Sequence, residues 1–391
     1  MSRTDRCYYS MEAGHVNWQV PNMRVVMLSK ACLVGAYQRK LEELARLPGV
    51  ALTVLVPSSW RDERGVTHLE RVHTTGYELR VIPIVLSGHF HLHFYPRLGR
   101  ILRQLRPHIL HIDEEPYNLA TFLALRAAPK VGAKTLFFTW QNLARRYPPP
   151  FCWMERYVLA HADVALAGNT EAVKVLRTKG YQGPVRVIPQ FGIDSEMFRF
   201  SGLQPVTCHL QPFIIGYVGR LVEEKGVDLL LQAVTGLEGE WRLRIAGDGP
   251  EQERLAALAR ELDIASQVTF EGLVPSTQMP DFYPQLDVLV LPSRTRPNWK
   301  EQFGRVLIEA MACGVPVVGS DSGEIPHVVG EAGLIFPEGD AAALRSTLAR
   351  LQADSGLREK LAHRGRARVL AHYTQAQVAV ATYEVYLEMM E

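Results

Sequence analysis

From Met23 onward the apolar residues come in short unbroken runs separated by amphipathic stretches. MRVVMLS (23–29), VALTVLVP (50–57), LRVIPI (79–84), ILHID (109–113), KTLFFTW (134–140), VALAG (164–168) and VRVIPQ (185–190) are nearly all apolar. Runs of this length and β-branched content predict strands of a parallel sheet covered on both faces. Between them, stretches such as YQRKLEELARL (37–47) and TEAVKVLRTKG (170–180) space their apolar residues at helical intervals. Strand and helix in alternation predict a doubly wound α/β sheet.

A second series of strands follows in FIIGYVG (213–219), WRLRIAG (241–247), QVTFEG (267–272), DVLVLP (287–292) and VPVVGS (315–320). The stretch between the series, 192–212, has no clear period and carries Gly and Pro, which marks a linker. TQAQVAVATYEVYLEMM (374–390) predicts a long amphipathic helix after the last strand. The expected organisation is an extension over 1–22, a first domain over 23–197, a second over 198–373 and a helix over 374–391. Two Rossmann-like domains on one linker face each other across a cleft. Ligands of such sheets bind outside the carboxyl ends of the strands, so strand-to-helix loops from both halves should line it.

Composition narrows the function further. A chain of 391 residues is long enough for two ordinary cores, and 47% hydrophobic with 21% charged residues is globular. A formal net charge of +2 gives no basic excess for nucleic acid. No apolar run approaches the roughly 20 residues that span a bilayer. The first twenty residues lack the apolar middle of a secretion signal, and Met23 is a plausible alternative start. The five cysteines, Cys7, Cys32, Cys152, Cys208 and Cys313, are scattered without CxxC spacing, so a reduced, cytoplasmic setting without zinc is expected.

The loops carry the candidate chemistry. In GYVGRLVEEKGVDLLLQAV (216–234) a strand ends at Gly219, Arg220 and Lys225 follow, and a helix opens near Gly226. Small residues let the backbone approach a ligand, helix amides point at it and two cations complement its charge, which suits a diphosphate. A tight turn whose Arg and Lys face water is the plainer alternative. IAGDGPEQERL (245–255) is another glycine-rich turn of the same kind, with Gly247 at its centre. In EQFGRVLIEAMACGVPVVGSDSG (301–323) a helix opens at Phe303 and Gly304, with Glu301 just before it and Glu309 on its body. Carboxylates at a cleft mouth suit bidentate bonds to vicinal hydroxyls, so the pair is expected to hold hydroxyls on either side of a diphosphate. An N-terminal helix acid and a solvated mid-helix acid would look the same one at a time.

With these residues in view, the second half resembles the donor domain of retaining glycosyltransferase family 4, which has the GT-B fold. The resemblance rests on GRLVEEKGVDLLLQAV, IAGDGPEQERL, VIPQFGID (187–194), LPSR (291–294) and the run from Glu301 to VVG (328–330), with the family's E-x7-E pattern on Glu301 and Glu309. It implies Arg220 and Lys225 on the donor diphosphate, Glu309 on the nucleotide ribose and Glu301 on the transferred sugar. The backbone at Gly219, Gly247, Phe303, Gly304 and Leu307 would complete the donor site. In the first half, LVGAYQRKLEEL (33–44) stands where the family has a glycine-rich loop facing the phosphates. Gly35 is the candidate there, although the family often has two glycines. The terminal helix would cross back onto the first domain.

One departure concerns catalysis. The family commonly has a histidine after the fifth strand of the first domain, whereas here Gln141 and Asn142 occupy the place. Neither is a base at neutral pH, though both can bond a hydroxyl. The resemblance implies a front-face reaction in which the leaving diphosphate accepts the acceptor's proton, so Gln141 would orient the sugar beside Glu301, Arg220 and Lys225. His111, Asp113, Glu114 and Glu115 follow a strand end and, with Asn142, are acceptor-side candidates. His89, His91 and His93 alternate as on a strand, which reads as a polar face or an acceptor-side loop and not a metal site. Arg97, Arg100, Arg103 and Arg106 line one face of a helical run. That run reads as an ordinary surface helix, with peripheral contact to the inner membrane face as the alternative.

The expectation is therefore a retaining hexosyltransferase that moves a sugar from a UDP- or GDP-sugar to a sugar, glycan, lipid-linked or small-molecule hydroxyl. No metal or other cofactor is expected. The alternatives are a GT-B nucleotide-sugar epimerase or hydrolase, or an inactive paralogue that only binds the nucleotide sugar. Base, sugar, acceptor and oligomeric state are not legible in the sequence.

Overall fold

The computed structural model describes residues 22–62, 65–200 and 212–391. The expected extension, together with Cys7 and Cys208, lies outside the described residues apart from Asn22. The first half contains β1 (Met23–Leu28), β2 (Val50–Val56), β3 (Ser59–Asp62), β4 (Gly65–His68), β5 (Glu78–Val81), β6 (Ile109–Ile112), β7 (Lys134–Thr139), β8 (Val164–Ala167) and β9 (Val185–Val187). The second contains β10 (Phe213–Val218), β11 (Trp241–Ala246), β12 (Val268–Gly272), β13 (Val288–Leu291), β14 (Val317–Ser320) and β15 (Leu334–Phe336). Seven strands form a parallel sheet in the order β5-β2-β1-β6-β7-β8-β9, and six form another in the order β12-β11-β10-β13-β14-β15. Each order reverses beside its first strand, between β1 and β6 and between β10 and β13, and a switch point of this kind opens a crevice for a ligand.

Continuous apolar runs are explained by burial on both sheet faces. In the first sheet Val26, Leu28, Leu110, Ile112 and Phe137 belong to one buried cluster. Their alternates Val25, Met27, Ile109, Leu136 and Phe138 belong to another. That second cluster is completed from far along the chain by Val378, Val385, Tyr386 and Met389 of the helix Gln375–Met390. The terminal helix therefore crosses back, as expected. Its crossing lies beside the first one: Ile193 N donates to Tyr373 O at 2.8 Å, and Gln375 N donates to Ile193 O at 3.0 Å. Gly192 sits so close to this junction that a Cβ would lie 2.4 Å from the carbonyl carbon of Thr374.

Two elements differ from expectation. Residues 88–97 form turns and one bridge rather than a strand, so the alternation of His89, His91 and His93 does not describe a sheet face. The antiparallel hairpin β3–β4 was not anticipated. The arginine-rich run forms the helix Leu98–Leu105, which buries Leu98, Ile101 and Leu102 and exposes Arg100 and Arg103. Among the described residues no helix is long and apolar enough to cross a membrane.

Candidate active site

The carboxyl ends of β10 and β11 are held together by glycines. Gly219 and Gly247 have φ of 153° and 149°. A Cβ on Gly247 would lie 1.8 Å from Gly219 O, so the two loops touch backbone to backbone. Gly226, with φ of 66°, caps the helix Val227–Val234, and a Cβ there would meet Pro292 O at 2.1 Å. These constraints fix where Arg220 and Lys225 emerge. Arg220 is exposed and pairs with no described residue, while its carbonyl accepts from Tyr217 Oη at 2.8 Å. Lys225 Nζ reaches 2.5 Å from Glu301 Oε2 and lies 5.0 Å from the ring centre of Trp299.

Glu301 is 7% exposed, and Ser293 Oγ donates to its Oε2 at 2.8 Å. Gly304, with φ of 77°, starts the helix Arg305–Ala312. Leu307 anchors that helix in the core, fully buried. Glu309, one turn in, accepts from Arg305 Nε at 2.8 Å on Oε1 and from Tyr283 Oη at 2.8 Å on Oε2. Each carboxylate oxygen has two lone pairs, so a ribose could still be accepted there. Arg305 also lies 5.2 Å from the ring centre of Tyr37, which stacks on Phe191 at 4.0 Å in the first domain. Tyr283 and Trp299 carry no motif in the sequence, and Ser293 lies in the LPSR stretch without a role assigned there; the fold brings Tyr283 to Glu309, Trp299 to Lys225 and Ser293 to Glu301.

The first domain braces this loop from the other side. Asn142 Nδ2 donates to Glu301 O at 3.4 Å, Gln302 Nε2 donates to Trp140 O at 3.1 Å, and Asn169 Nδ2 donates to Gln302 O at 3.0 Å. Phe303 meets Trp140 at 5.8 Å between ring centres. The Glu324 carboxylate accepts from Thr170 N at 3.1 Å and from its hydroxyl at 2.9 Å. Gln141 points into the first domain, where its amide donates to Tyr147 Oη at 3.1 Å and accepts from Lys179 Nζ at 3.1 Å. The amide of Gly35 donates to Glu70 Oε2 at 2.6 Å, so a carboxylate of the same chain already occupies it.

The acceptor-side candidates divide. His111 lies within β6 on the face of the terminal helix, 1% exposed, with Nδ1 2.7 Å from Tyr386 Oη. It does not face the cleft, contrary to expectation, because its position in the strand puts it on the sheet face of Ile109 and Tyr386 and not in the loop beyond. Asp113, Glu114 and Glu115 do line a cavity of about 310 Å³ beside the end of β1. Asp113 accepts from Ser29 Oγ at 2.6 Å and from Gln190 Nε2 at 3.0 Å. Glu114 pairs with Lys30, and His93 Nε2 stands 3.6 Å away. Burial opposes its charge, but Lys30 and His93 hold its carboxyl at about 2. Burial pushes Glu115 up to about 7, against the Thr139 hydroxyl and Trp140 amide that donate to it at 2.6 and 2.8 Å. Lys30 comes just after the first strand, a position at which a polar residue is expected to face the cleft.

Two sequence profiles match the chain: "Glycosyl transferases group 1" over residues 206–368 and "Glycosyl transferase 4-like domain" over 34–190. Similar curated proteins include a D-inositol 3-phosphate glycosyltransferase of Streptomyces bingchenggensis, 31% identical over 60% of this chain and 55% of that protein. A GDP-mannose-dependent alpha-(1-6)-phosphatidylinositol monomannoside mannosyltransferase of Mycolicibacterium smegmatis is 35% identical over 36% of this chain and 39% of that protein. The matched stretches thus span about half or less of the length of these relatives. Among solved structures, Anabaena HepE in complex with UDP superposes with a TM-score of 0.72 at 16% identity, covering 94% of this chain and 100% of that one. That likeness is one of fold.

Proposed function

The chain belongs to the family 4 glycosyltransferases of GT-B fold, and from that premise we propose that it moves a hexose from a nucleoside-diphosphate sugar to a hydroxyl acceptor with retention of configuration. UDP- and GDP-sugars are the favoured donors, since HepE is known with UDP and the M. smegmatis relative is named for GDP-mannose. The observation that carries the proposal is the joined loop pair: Lys225 is in contact with Glu301, exposed Arg220 shares the loop of Lys225, and Glu309 lies on the helix that follows Glu301. Cations suited to a diphosphate and carboxylates suited to vicinal hydroxyls thus come from two loops in contact.

In the reaction so read, the bond from the anomeric carbon to the diphosphate oxygen breaks, and a bond to the acceptor oxygen forms on the same face. The acceptor's proton passes to a donor phosphate oxygen. Negative charge grows on the leaving diphosphate, and Arg220, Lys225 and the free amides after Gly304 are the groups placed to offset it. These cations do what a metal does in other transferases, so activity is expected to survive EDTA.

A thermal-shift screen against UDP, GDP, ADP and dTDP tests the donor, because a ligand of the folded state raises its melting temperature. NMR of the product then reads the anomeric configuration. An inverted product, or sugar release from the donor with no transfer to any hydroxyl, would overturn the proposal.

A further inference from the structure

The cavity beside β1 has a wall chemistry that the donor loops lack. Its aromatic side includes Trp60 on the hairpin β3–β4, Phe90, Tyr37 and Trp140. Its polar side is the row Asp113, Glu114 and Glu115. Among the described residues lining it, Lys30 is the only cation. That ammonium is already committed: it pairs with Glu114 and lies 5.4 and 4.7 Å from the ring centres of Trp60 and Phe90.

We propose that this cavity takes the acceptor as an uncharged sugar ring and turns away acceptors that carry a phosphate there, an inference resting on the transferase function above. Sugar rings present a C–H face that packs on aromatic rings and a rim of hydroxyl donors. Trp60 and Phe90 offer the first surface. Asp113 and Glu115 offer the second, since each of their oxygens accepts one bond from the protein and retains another lone pair. A phosphate in the same place would bring negative charge against the acidic row that begins at Asp113, with no uncommitted cation among the described lining residues to answer it, and like charges held together out of bulk water repel strongly. Arg220, exposed and paired with no described residue, follows β10 and not this cavity. The cavity thus separates the two substrates by charge: anion on one side, neutral sugar on the other.

The test uses the full chain saturated with the nucleotide that binds it in the thermal-shift screen. Methyl glycosides and disaccharides are compared with the same sugars bearing a 6-phosphate, by saturation-transfer NMR and by tryptophan fluorescence. Uncharged members should bind at least about tenfold more tightly than their phosphorylated counterparts. Trp60→Ala should weaken acceptor binding about tenfold or more without changing nucleotide affinity, and Trp60→Phe should restore most of it. Phe90→Ala provides a second variant on a different segment. Equal or tighter binding of the phosphorylated sugars, no uncharged sugar bound, or acceptor affinity unmoved by both alanine variants would overturn the inference. Failure of every nucleotide to bind would instead overturn the transferase proposal, and this inference with it.

Discussion

Lys225 Nζ lies 2.5 Å from Glu301 Oε2, so the cation proposed for the diphosphate and the carboxylate proposed for the sugar form one unit across two loops. Because Ser293 donates to the same oxygen, Oε1 is the one left to a substrate hydroxyl. Lys225→Ala removes the cation and strands a carboxylate that is 7% exposed. It should lower turnover at least about tenfold and cost about 1–3 kcal/mol of stability. Adding Glu301→Gln should recover most of that stability and none of the activity. Denaturant unfolding of the two single variants and the double variant checks this, and simply additive losses would contradict it.

Glu309 is held by Tyr283 and Arg305 at 2.8 Å each. Glu309→Ala should weaken nucleotide diphosphate binding by about 1–3 kcal/mol, the range for a hydrogen bond to a charged group. Tyr283→Phe removes only the bond that aims the carboxylate and should cost about 1 kcal/mol of the same affinity. Calorimetry on folded variants measures both, and unchanged affinity in Glu309→Ala would remove the ribose role.

Gln141 has both ends of its amide engaged, by Tyr147 and Lys179. Gln141→Ala should therefore lower stability by about 1–2 kcal/mol and turnover modestly. The pH–rate profile and product configuration should not change, because an amide titrates nothing near neutral pH. A loss of turnover beyond about a hundredfold in a folded variant would place this side chain on the substrate instead.

Glu115 supplies a pH dependence. Its folded pKa is raised to about 7 by burial, above the 4.5 of an ordinary glutamate. A group whose folded pKa is raised stabilises the fold fully below its unfolded pKa, and that contribution is lost as pH rises through the folded value. Stability should therefore fall between about pH 4.5 and 7, by on the order of 1–3 kcal/mol from this group. Glu115→Gln should flatten that slope in unfolding measured at several pH values. An unchanged slope would mean that the carboxyl ionises freely where it is.

Much of this was legible because burial on both faces leaves a strong mark. All twelve continuous apolar runs expected as strands are strands, unlike the alternating histidines of 89–93, since a parallel sheet under helices admits little but apolar residues. The hairpin β3–β4 leaves no such mark. SWRD and GVTH are short, half-exposed and without alternation, so Trp60 could not be placed in advance. β15 has only three residues, Leu334–Phe336, too few to show a period. His111 was misplaced because a strand end says which loop follows but not which face a residue within the strand takes. Glu301 and Lys225 could each be singled out from a loop motif. Their contact depends on the approach of β10 and β13, which local sequence does not encode.

The helix Gln375–Met390 has a consequence for how the chain is made. Tyr386 and its neighbours cover one face of the first sheet, yet they leave the ribosome after every strand of the second. The half synthesised first therefore waits, one apolar side covered only in part by Leu41 and Leu44 of the helix Arg39–Ala45, until translation has passed through the other. During that interval the nascent chain carries an open greasy surface, which makes it a natural client for chaperones. The arrival of Tyr386 beneath β6, with Val378, Val385 and Met389, closes it, so the first half is completed only after the second has been made.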